Sequence, residues 1–298
     1  MSLVIGTRGS KLALLQAERV CRVLAGQGVG VETAIIRTQG DDDTGLPLHE
    51  IGGQGLFVKA LDEAILRGEI DCAVHSMKDI PVRRPEGLIT AAILERESPA
   101  DYLAISTAMD QVSVVGTSSM RRRAQILRHD SSVEVRPLRG NVDTRIRKLI
   151  SGDFHAIVLA EAGLERLDYR LRGFRLPPER FVPTANQGAI AVVSRDDPLL
   201  IITLSSLDHT PTRRDVMAER AVIEELGGGC FTPVGVYCRD GHLIAEVLSL
   251  DGKRTERIEE DIADTDAARA CGKRLAEKAG DLLAEARGTT GVKDAAER

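Results

Sequence analysis

The sequence predicts an α/β protein in which two related domains precede a smaller α+β domain. Short apolar segments alternate with amphipathic helical segments, and this rhythm restarts after Ser98-Pro99 before changing to a mixed order from about Thr210. Such alternation is typical of parallel sheets covered by helices. Because the 298 residues are about twice the usual length of one domain, we expect more than one hydrophobic core.

The first domain is predicted from three apolar strands and two amphipathic helices. The strands span residues 4–7, 31–37 and 70–75, and the helices span residues 11–25 and 56–67. Between the second strand and the second helix, the polar, Gly-rich residues 39–55 predict a long mobile loop.

The second domain repeats pieces of the first. Its predicted strands span residues 112–115, 133–135 and 156–160, and its predicted helices span residues 120–129 and 142–151. Ile5-Gly6-Thr7 followed by Ser10 has a counterpart in Val115-Gly116-Thr117 followed by Ser119. The two domains are therefore expected to share one fold.

The third domain combines helices and strands in a mixed order. A helix at about 215–226, strands at 234–238 and 243–250, and a final helix at about 266–286 are predicted. We place the three domains at residues 1–95 with 188–206, at 96–187 and at 207–298.

The composition disfavours several classes of protein. The net charge is −5, aromatic residues make up 3% and Trp is absent, which disfavours a protein that stacks nucleic-acid bases. No apolar run approaches the roughly 20 residues that span a bilayer, and Arg8 and Lys11 precede any possible signal-peptide core. The five cysteines form no C-x-x-C pair, so neither disulfides nor a metal site is expected. We expect a cytoplasmic protein with no membrane or nucleic-acid partner.

Two repeated turns carry groups that can bind anions. In each turn a Gly-Thr pair ends a strand, and Ser10 or Ser119 begins a helix. The unpaired N–H groups at a helix N-terminus attract anions. Simple N-capping by the two serines is the alternative. The arginines beside the turns, Arg8 in the first and Arg121 to Arg123 after the second, favour anion binding.

Residues 116–147 are unusually basic. They hold eight arginines and three acidic residues, a local net charge of +5. A solvated helix face normally mixes the two signs, and the planar guanidinium group pairs well with carboxylate and phosphate oxygens. A nucleic acid also fits a basic stripe, but the overall acidity disfavours it. The stretch therefore indicates a small polyanionic ligand.

A polar run follows the apolar strand that ends near His75. Ser76, Lys78 and Asp79 fall on the sheet edge where ligands bind in open α/β folds. The Asp79 carboxylate could accept hydrogen bonds from ligand N–H groups and stabilise a cation, while Lys78 meets an anion. The alternatives are that Asp79 only caps a turn before Pro81 and that His75 is structural.

One cysteine has an unusual setting. Cys230 follows three glycines in a loop between a helix and a strand, which leaves its sulfur approachable. With no Cys–His–Asn pattern around it, a sulfur that holds a group covalently is favoured over a protease-type nucleophile.

Seven motifs in order resemble the porphobilinogen deaminase (hydroxymethylbilane synthase) family: I-G-T-R-G-S, G-G-Q-G-L-F-V-K, V-H-S-M-K-D-I-P, V-G-T-S-S-M-R-R, L-R-G-N-V-D-T-R, N-Q-G-A and G-G-G-C. The resemblance covers residues 1 to about 240. It implies two domains like the lobes of type II periplasmic binding proteins around a cleft, and a C-terminal domain whose cysteine is linked by a thioether to a dipyrromethane cofactor. The implied enzyme is a monomeric transferase that condenses four porphobilinogens head to tail, releases ammonia each time, and frees hydroxymethylbilane by hydrolysis.

The resemblance also implies residue roles. Asp79 would be the catalytic carboxylate, and Cys230 would carry the cofactor. The other cofactor-binding residues would be Ser76, Lys78, Thr117, Ser119, Arg121, Arg122, Arg139, Gly140 and Asn141. The substrate-binding residues would be Arg8, Ser10, Arg145, Gln187 and Gly188, with Phe57 and Lys59 at the hinge of an active-site loop, 39–55.

Three positions depart from the family pattern. Some bacterial relatives have lysines where this chain has Glu50 and Gln54, and Asn186 replaces a common glycine. The alternative from another functional class is a non-catalytic two-lobed protein that binds small anions. Such a receptor needs neither Cys230 nor a third domain, so the synthase is favoured.

Overall fold

The computed structural model describes residues 2–36, 56–108, 111–227 and 232–290. The chain divides into two compact units. Unit 1 comprises Met1–Pro99, Ala162–Tyr169 and Asn186–Arg213, and unit 2 comprises Ala100–Glu161, Arg170–Ala185 and Arg214–Arg298. Helices and strands are numbered below in chain order.

Unit 1 is built on a five-stranded mixed sheet. Its strands are β1 (Ser2–Thr7), β2 (Gly30–Ile35), β3 (Cys72–Ser76), β4 (Leu88–Ile93) and β10 (Ile190–Arg195), in the order β2-β1-β3-β10-β4. β1 is parallel to β2 and β3, whereas β10 is antiparallel to β3 and β4. Its helices are α1 (Lys11–Gly26), α2 (Leu56–Leu66), α5 (Glu161–Arg166) and α6 (Pro198–Leu204).

The apolar residues of β1 and α1 explain how this sheet is covered. Leu3 and Ile5 alternate on one face of β1, and Val20 and Leu24 lie one helical turn apart on α1. All four are fully buried in one cluster. Burying each such side chain contributes about 1.5–3 kcal/mol, so this cluster fixes α1 across the sheet.

Unit 2 contains a second five-stranded mixed sheet with the order β7-β6-β8-β5-β9. The strands are β5 (Asp101–Ile105), β6 (Val114–Gly116), β7 (Glu134–Arg136), β8 (Ala156–Ala160) and β9 (Gly173–Leu176), and its helices are α3 (Met120–His129) and α4 (Val142–Ile150). β6 pairs in parallel with β7 and β8, and β5 is antiparallel to β8 and β9. The two sheets therefore have equivalent topology, as the repeated motifs predict.

The remainder of unit 2 forms a separate three-stranded sheet with helices of its own. The strands β11 (Val234–Arg239), β12 (His242–Leu248) and β13 (Thr255–Asp261) form an antiparallel sheet, which we call the C-terminal sheet. Its helices are α7 (Thr210–Leu226), α8 (Thr265–Lys278) and α9 (Gly280–Thr290). The predicted fold class, two α/β sheets and a small α+β part, is confirmed.

Some element bounds differ from the predictions. A single helix over 266–286 is wrong, because α8 ends at Lys278 and α9 begins at Gly280. Glycine is a poor helix former, and the break falls at that residue. α7 begins at Thr210, five residues earlier than predicted. In the part of the chain that the structure describes, no helix has the length and apolar character to cross a membrane.

Candidate active site

Unit 1 contains a pocket at the carboxyl ends of β1 and β3. Because these two strands are parallel and adjacent, the residues that follow them meet at one sheet edge. The pocket is lined by Arg8, Ser10, Leu12, Ala13, Gln16, Val58, Val74, His75, Ser76 and Asp79. The structure therefore brings together four residues predicted from two separate motifs, Arg8 and Ser10 from the first and Ser76 and Asp79 from the second.

The first of the two predicted turns is also a helix cap. Ser10 is the N-cap of α1, and its hydroxyl oxygen accepts a hydrogen bond from the Ala13 N–H at 3.3 Å. N-capping, the alternative for this serine, is thus part of its role. Since Ser10 also lines the pocket, the same cap places the helix N-terminus beside Arg8.

Asp79 ends a short 3₁₀ turn, Met77–Asp79, directly after β3. Met77 is fully buried, and its N–H donates to the Ala189 carbonyl at 2.9 Å, which anchors the turn to the sheet. The Asp79 side chain is exposed and faces the pocket. Among the residues that the structure describes, no hydrogen bond to the Asp79 carboxylate is formed, so this group does not act as a turn cap.

Behind Asp79, buried polar groups support the pocket wall. Gln16, buried on α1, donates from Nε2 to the Ser76 hydroxyl at 2.9 Å. His75 is buried as well, and burial together with the positive charges of Arg84 and Arg8 lowers its pKa to about 3. His75 is therefore neutral at physiological pH, in agreement with a structural role.

Lys78 is tied to the segment that crosses back into unit 1. Its Nζ donates to Gln187 Oε1 at 3.3 Å, and Gln187 Nε2 donates to the Pro99 carbonyl at 2.9 Å. Gly188 has a φ of 89°, and a Cβ there would lie 2.6 Å from the Ser98 carbonyl oxygen, so only glycine fits. Asn186 has a φ of 67°, a conformation that asparagine tolerates better than most residues. Asparagine can therefore occupy a position at which glycine would also fit.

In unit 2 the second predicted turn repeats the cap of the first. Ser119 is the N-cap of α3 and accepts from the Arg122 N–H at 3.4 Å, while the Thr117 hydroxyl accepts from the Ser119 N–H at 3.2 Å. Asn141 caps α4 in the same way, with Oδ1 accepting from the Thr144 N–H at 2.9 Å. Three predicted cofactor-binding residues thus lie at helix N-termini of one unit.

The two arginines that follow Ser119 share a buried carboxylate. Arg121 donates to Asp101 Oδ2 at 2.9 Å, and Arg122 donates to Asp101 Oδ1 at 2.7 Å. Arg121 is 3% exposed and also binds the Gln125 side chain and the Val182 carbonyl. Arg121 thus directs its hydrogen bonds to groups of the protein, and its contact with a cofactor stays a prediction.

The third turn places a further arginine next to Arg122. Arg145 donates from Nε to the Gly140 carbonyl at 2.8 Å. Burial and the nearby charge of Arg122 lower the pKa of Arg145 to about 10. Among the described residues, Arg145 forms no ion pair. Two cations that repel one another, one of them without a carboxylate partner, form a site suited to an anion.

Several predicted site residues either lie outside the described residues or are not seen among those that line the pocket. Cys230 and residues 39–55, with Glu50 and Gln54, lie outside the described residues. Phe57 lies in α2, but its side chain is likewise outside the description. Lys59 is 76% exposed and lies 3.9 Å from Glu63 across one helical turn. Arg139 lies just before Gly140 and is partly exposed.

Sequence reasoning missed several supporting residues. Gln16 holds Ser76, Asp101 holds two arginines, and Arg166 donates to the Gly188 carbonyl at 2.8 Å and pairs with Glu97. Asp101 had one usable signal, because an acid beside the apolar run Leu103–Ile105 must be paired if it is buried. Gln16 and Arg166 had none, since their partners lie far away in the chain.

Comparison with known proteins shows which family the chain belongs to. A family model described as the porphobilinogen deaminase dipyrromethane cofactor binding domain matches residues 3–202, and the model of that family's C-terminal domain matches residues 213–281. A protein of Methanosarcina acetivorans named a probable porphobilinogen deaminase is 49% identical over 95% of this chain and 94% of its own length. The porphobilinogen deaminase of Nitratidesulfovibrio vulgaris (strain Miyazaki F) is 43% identical over 96% of this chain and 98% of its own.

Among solved structures, a substrate binding domain of Lactococcus lactis GlnP is similar at 12% identity and a TM-score of 0.43, covering 76% of this chain and 90% of that one. The two family models together account for most of the chain from residue 3 to residue 281. The chain therefore belongs to the porphobilinogen deaminase family, transferases of tetrapyrrole biosynthesis that contain a dipyrromethane cofactor binding domain.

Proposed function

We propose that this protein is a hydroxymethylbilane synthase. It condenses four porphobilinogen molecules head to tail, with loss of one ammonia at each step, and then releases the linear tetrapyrrole by hydrolysis. The observation that carries the proposal is Arg145, a largely buried arginine that is repelled by Arg122 and forms no ion pair with any described residue. Such a charge suits an anionic partner, and a chain of pyrroles with acetate and propionate side chains is a polycarboxylate.

The residues of unit 2 fit the dipyrromethane cofactor. Its four carboxylates match a set of guanidinium groups and helix N-termini that includes Ser119, Arg122 and Asn141. Arg145, beside Arg122, takes a carboxylate of the substrate. When bound through Cys230, the cofactor supplies the free pyrrole carbon to which the first substrate is joined. The lowered pKa of Arg145 records the cost of holding its charge without an anion, and a bound carboxylate removes that cost.

The pocket of unit 1 binds the incoming porphobilinogen. Arg8, at the N-terminus of α1, binds a substrate carboxylate with help from the Ser10 hydroxyl and the helix dipole. Lys78, held by Gln187, provides a second cation at the same sheet edge. These contacts orient the substrate so that its aminomethyl group and pyrrole N–H face Asp79.

Asp79 stabilises positive charge as ammonia leaves. Its carboxylate lines the pocket and forms no hydrogen bond with the described part of the chain, so it is available to accept one from a pyrrole N–H. A carboxylate in that position lowers the energy of the electron-poor ring that forms when the C–N bond breaks. After the new C–C bond forms, the same carboxylate assists removal of the proton from the pyrrole ring carbon that made the attack.

The rival function, non-catalytic binding of small anions by two lobes, is disfavoured. It leaves the Asp79 carboxylate, the glycine-rich cysteine loop and the C-terminal sheet without a role. We also propose that the enzyme acts as a monomer in the cytoplasm, with porphobilinogen as its substrate and neither membrane nor nucleic acid bound. Light scattering of the purified protein tests the monomer.

The activity is tested by the variant Asp79→Ala. The parent protein should consume porphobilinogen and release one ammonia for each molecule consumed, while Asp79→Ala should keep its melting temperature and lose turnover. Asp153→Ala, an exposed acid on the loop before β8, is the matched control and should keep parental turnover. Near-normal bilane formation by Asp79→Ala would refute the mechanism.

A further inference from the structure

Glu246 is a buried charge to which the reaction assigns no task. It lies on β12 of the C-terminal sheet and is completely buried. An isolated carboxylate in such a position costs several kcal/mol, so its partners decide what it does. Those partners belong largely to α3: Gln125 Nε2 lies 2.8 Å from Glu246 Oε1, and Arg128 Nη1 lies 2.9 Å from Oε2.

Gln125 extends this contact along α3. Its Oε1 accepts from Arg121 Nη1 at 2.8 Å, while its Nε2 donates both to Glu246 and to the Val182 carbonyl at 2.8 Å. A guanidinium can only donate and a carboxylate can only accept, so the amide has one workable orientation. Residues 121, 125 and 128 recur at helical spacing on one face of α3.

The hydrogen bonds that start at Glu246, which we call the relay, lead to the two arginines near the candidate site, Arg121 and Arg122. Arg121 binds Asp101, and the same carboxylate receives Arg122 through Nε at 3.2 Å and Nη2 at 2.7 Å. The series Glu246, Gln125, Arg121, Asp101, Arg122 is therefore an unbroken run of hydrogen bonds. It connects the C-terminal sheet to a guanidinium that flanks Arg145.

The C-terminal sheet packs tightly against α3. Gly252, in the turn between β12 and β13, has a φ of 73°, and a Cβ there would overlap the Ala124 carbonyl oxygen of α3. On β11, the Val236 N–H donates to the Pro183 carbonyl at 2.9 Å. With the backbones this close, a change at Glu246 is transmitted to α3 rather than absorbed by a gap.

We propose that Glu246 is a positioning residue for tetrapyrrole assembly. By holding Gln125 and Arg128, it fixes α3 on the C-terminal sheet, and through Arg121 and Asp101 it fixes the guanidinium plane of Arg122 toward the carboxylates of the growing chain. This inference rests on the proposed function, because the binding of those carboxylates by Arg122 is part of it.

The decisive variant replaces both members of the buried ion pair. Arg128→Met combined with Glu246→Leu removes the carboxylate together with its nearer guanidinium, while Arg257, 3.7 Å from Glu246, keeps its ion pair with Glu259 at 2.6 Å. Replacing a buried pair in this way is often neutral for stability. If Glu246 positions Arg122, this double variant melts close to the parent but has a KM for porphobilinogen raised about tenfold, since small displacements of binding groups are costly. When the double variant is produced in cells that supply no porphobilinogen, it carries no cofactor. Given porphobilinogen afterwards, it should gain the mass of dipyrromethane about tenfold more slowly than the parent protein treated in the same way.

Two further variants distinguish an effect on the position of Arg122 from an effect on the stability of the whole protein. Gln125→Leu breaks the relay without removing a charge and should slow cofactor uptake to a similar degree. Val247→Ala, the neighbour of Glu246 on β12, is fully buried in the core of the C-terminal sheet, so it should lower the melting temperature yet keep parental KM and uptake.

Parental KM and uptake in both the double variant and Gln125→Leu would overturn the inference. So would a loss in Val247→Ala as large as theirs, because stability alone would then explain the effect. A parent protein that neither gains the adduct nor consumes porphobilinogen would instead refute the proposed function, and the inference with it.

Discussion

The guanidinium of Arg145 lies near enough to that of Arg122 for the two charges to repel one another, and this repulsion together with burial lowers the pKa of Arg145 to about 10. Asp101 compensates Arg122 and also binds Arg121. No described residue forms an ion pair with Arg145. A protein that keeps an arginine in this state has a use for its charge, and a ligand carboxylate is the partner that fits.

Replacing Arg145 should therefore weaken substrate binding without harming the fold. Arg145→Leu removes one charge-assisted pair, worth about 1.5–3 kcal/mol, so KM should rise roughly tenfold to a hundredfold. The melting temperature should stay level or rise, because the repulsion with Arg122 is gone. Steady-state kinetics and thermal melts measure the two effects.

Arg147, on the same helix, provides the control for Arg145. It is exposed and donates to the Thr144 hydroxyl at 3.0 Å. Arg147→Leu should keep the parental KM. Equal losses in the two leucine variants would mean that the overall charge of α4, and not a specific site, attracts the substrate.

Asp101→Asn should be among the most destabilising single changes in unit 2. It leaves two buried guanidinium groups without their carboxylate, and breaking a buried pair in this way costs about 3–5 kcal/mol. Chemical denaturation of the parent, Asp101→Asn and the exposed Asp153→Asn measures the difference. A loss no larger than that of Asp153→Asn would show that water reaches the arginines.

His75 should make the protein sensitive to acid. Its pKa is about 3 in the folded protein and about 6.5 when unfolded, so below pH 6.5 the unfolded chain binds a proton that the folded chain refuses. Stability therefore falls as the pH drops from 6.5 toward 3, by about 2 kcal/mol between pH 7 and pH 5. Urea unfolding at both pH values should show this loss in the parent and a smaller one in His75→Leu. An identical pH dependence in both proteins would assign the acid sensitivity to other groups.

Much of the fold follows from local patterns. The helix predicted at 120–129 and the strand predicted at 156–160 coincide with α3 and β8, because both are continuous, strongly periodic segments. The antiparallel strands β4, β5, β9, β10 and β13 were not predicted. β10 pairs with β3 across more than a hundred residues of chain, and such pairing is decided by tertiary contacts rather than by local preference.

The residues of the candidate site also fall into those that the sequence could predict and those that it could not. Arg8, Ser10 and Asp79 were predicted because each lies within three residues of the end of a strand, and adjacent parallel strands bring such residues together. The separate roles of Arg121 and Arg145 could not be predicted from the sequence. The fold gives Arg121 the Asp101 carboxylate, whereas no carboxylate among the described residues forms an ion pair with Arg145.

The most direct test of the whole account is the intact mass of the denatured protein, measured for the parent and for Cys230→Ser. We expect the parent, as purified or after incubation with porphobilinogen, to exceed its polypeptide mass by one dipyrromethane, and Cys230→Ser to show no such excess. A parent that stays at the polypeptide mass after incubation, or a Cys230→Ser protein that carries the same adduct, would contradict it.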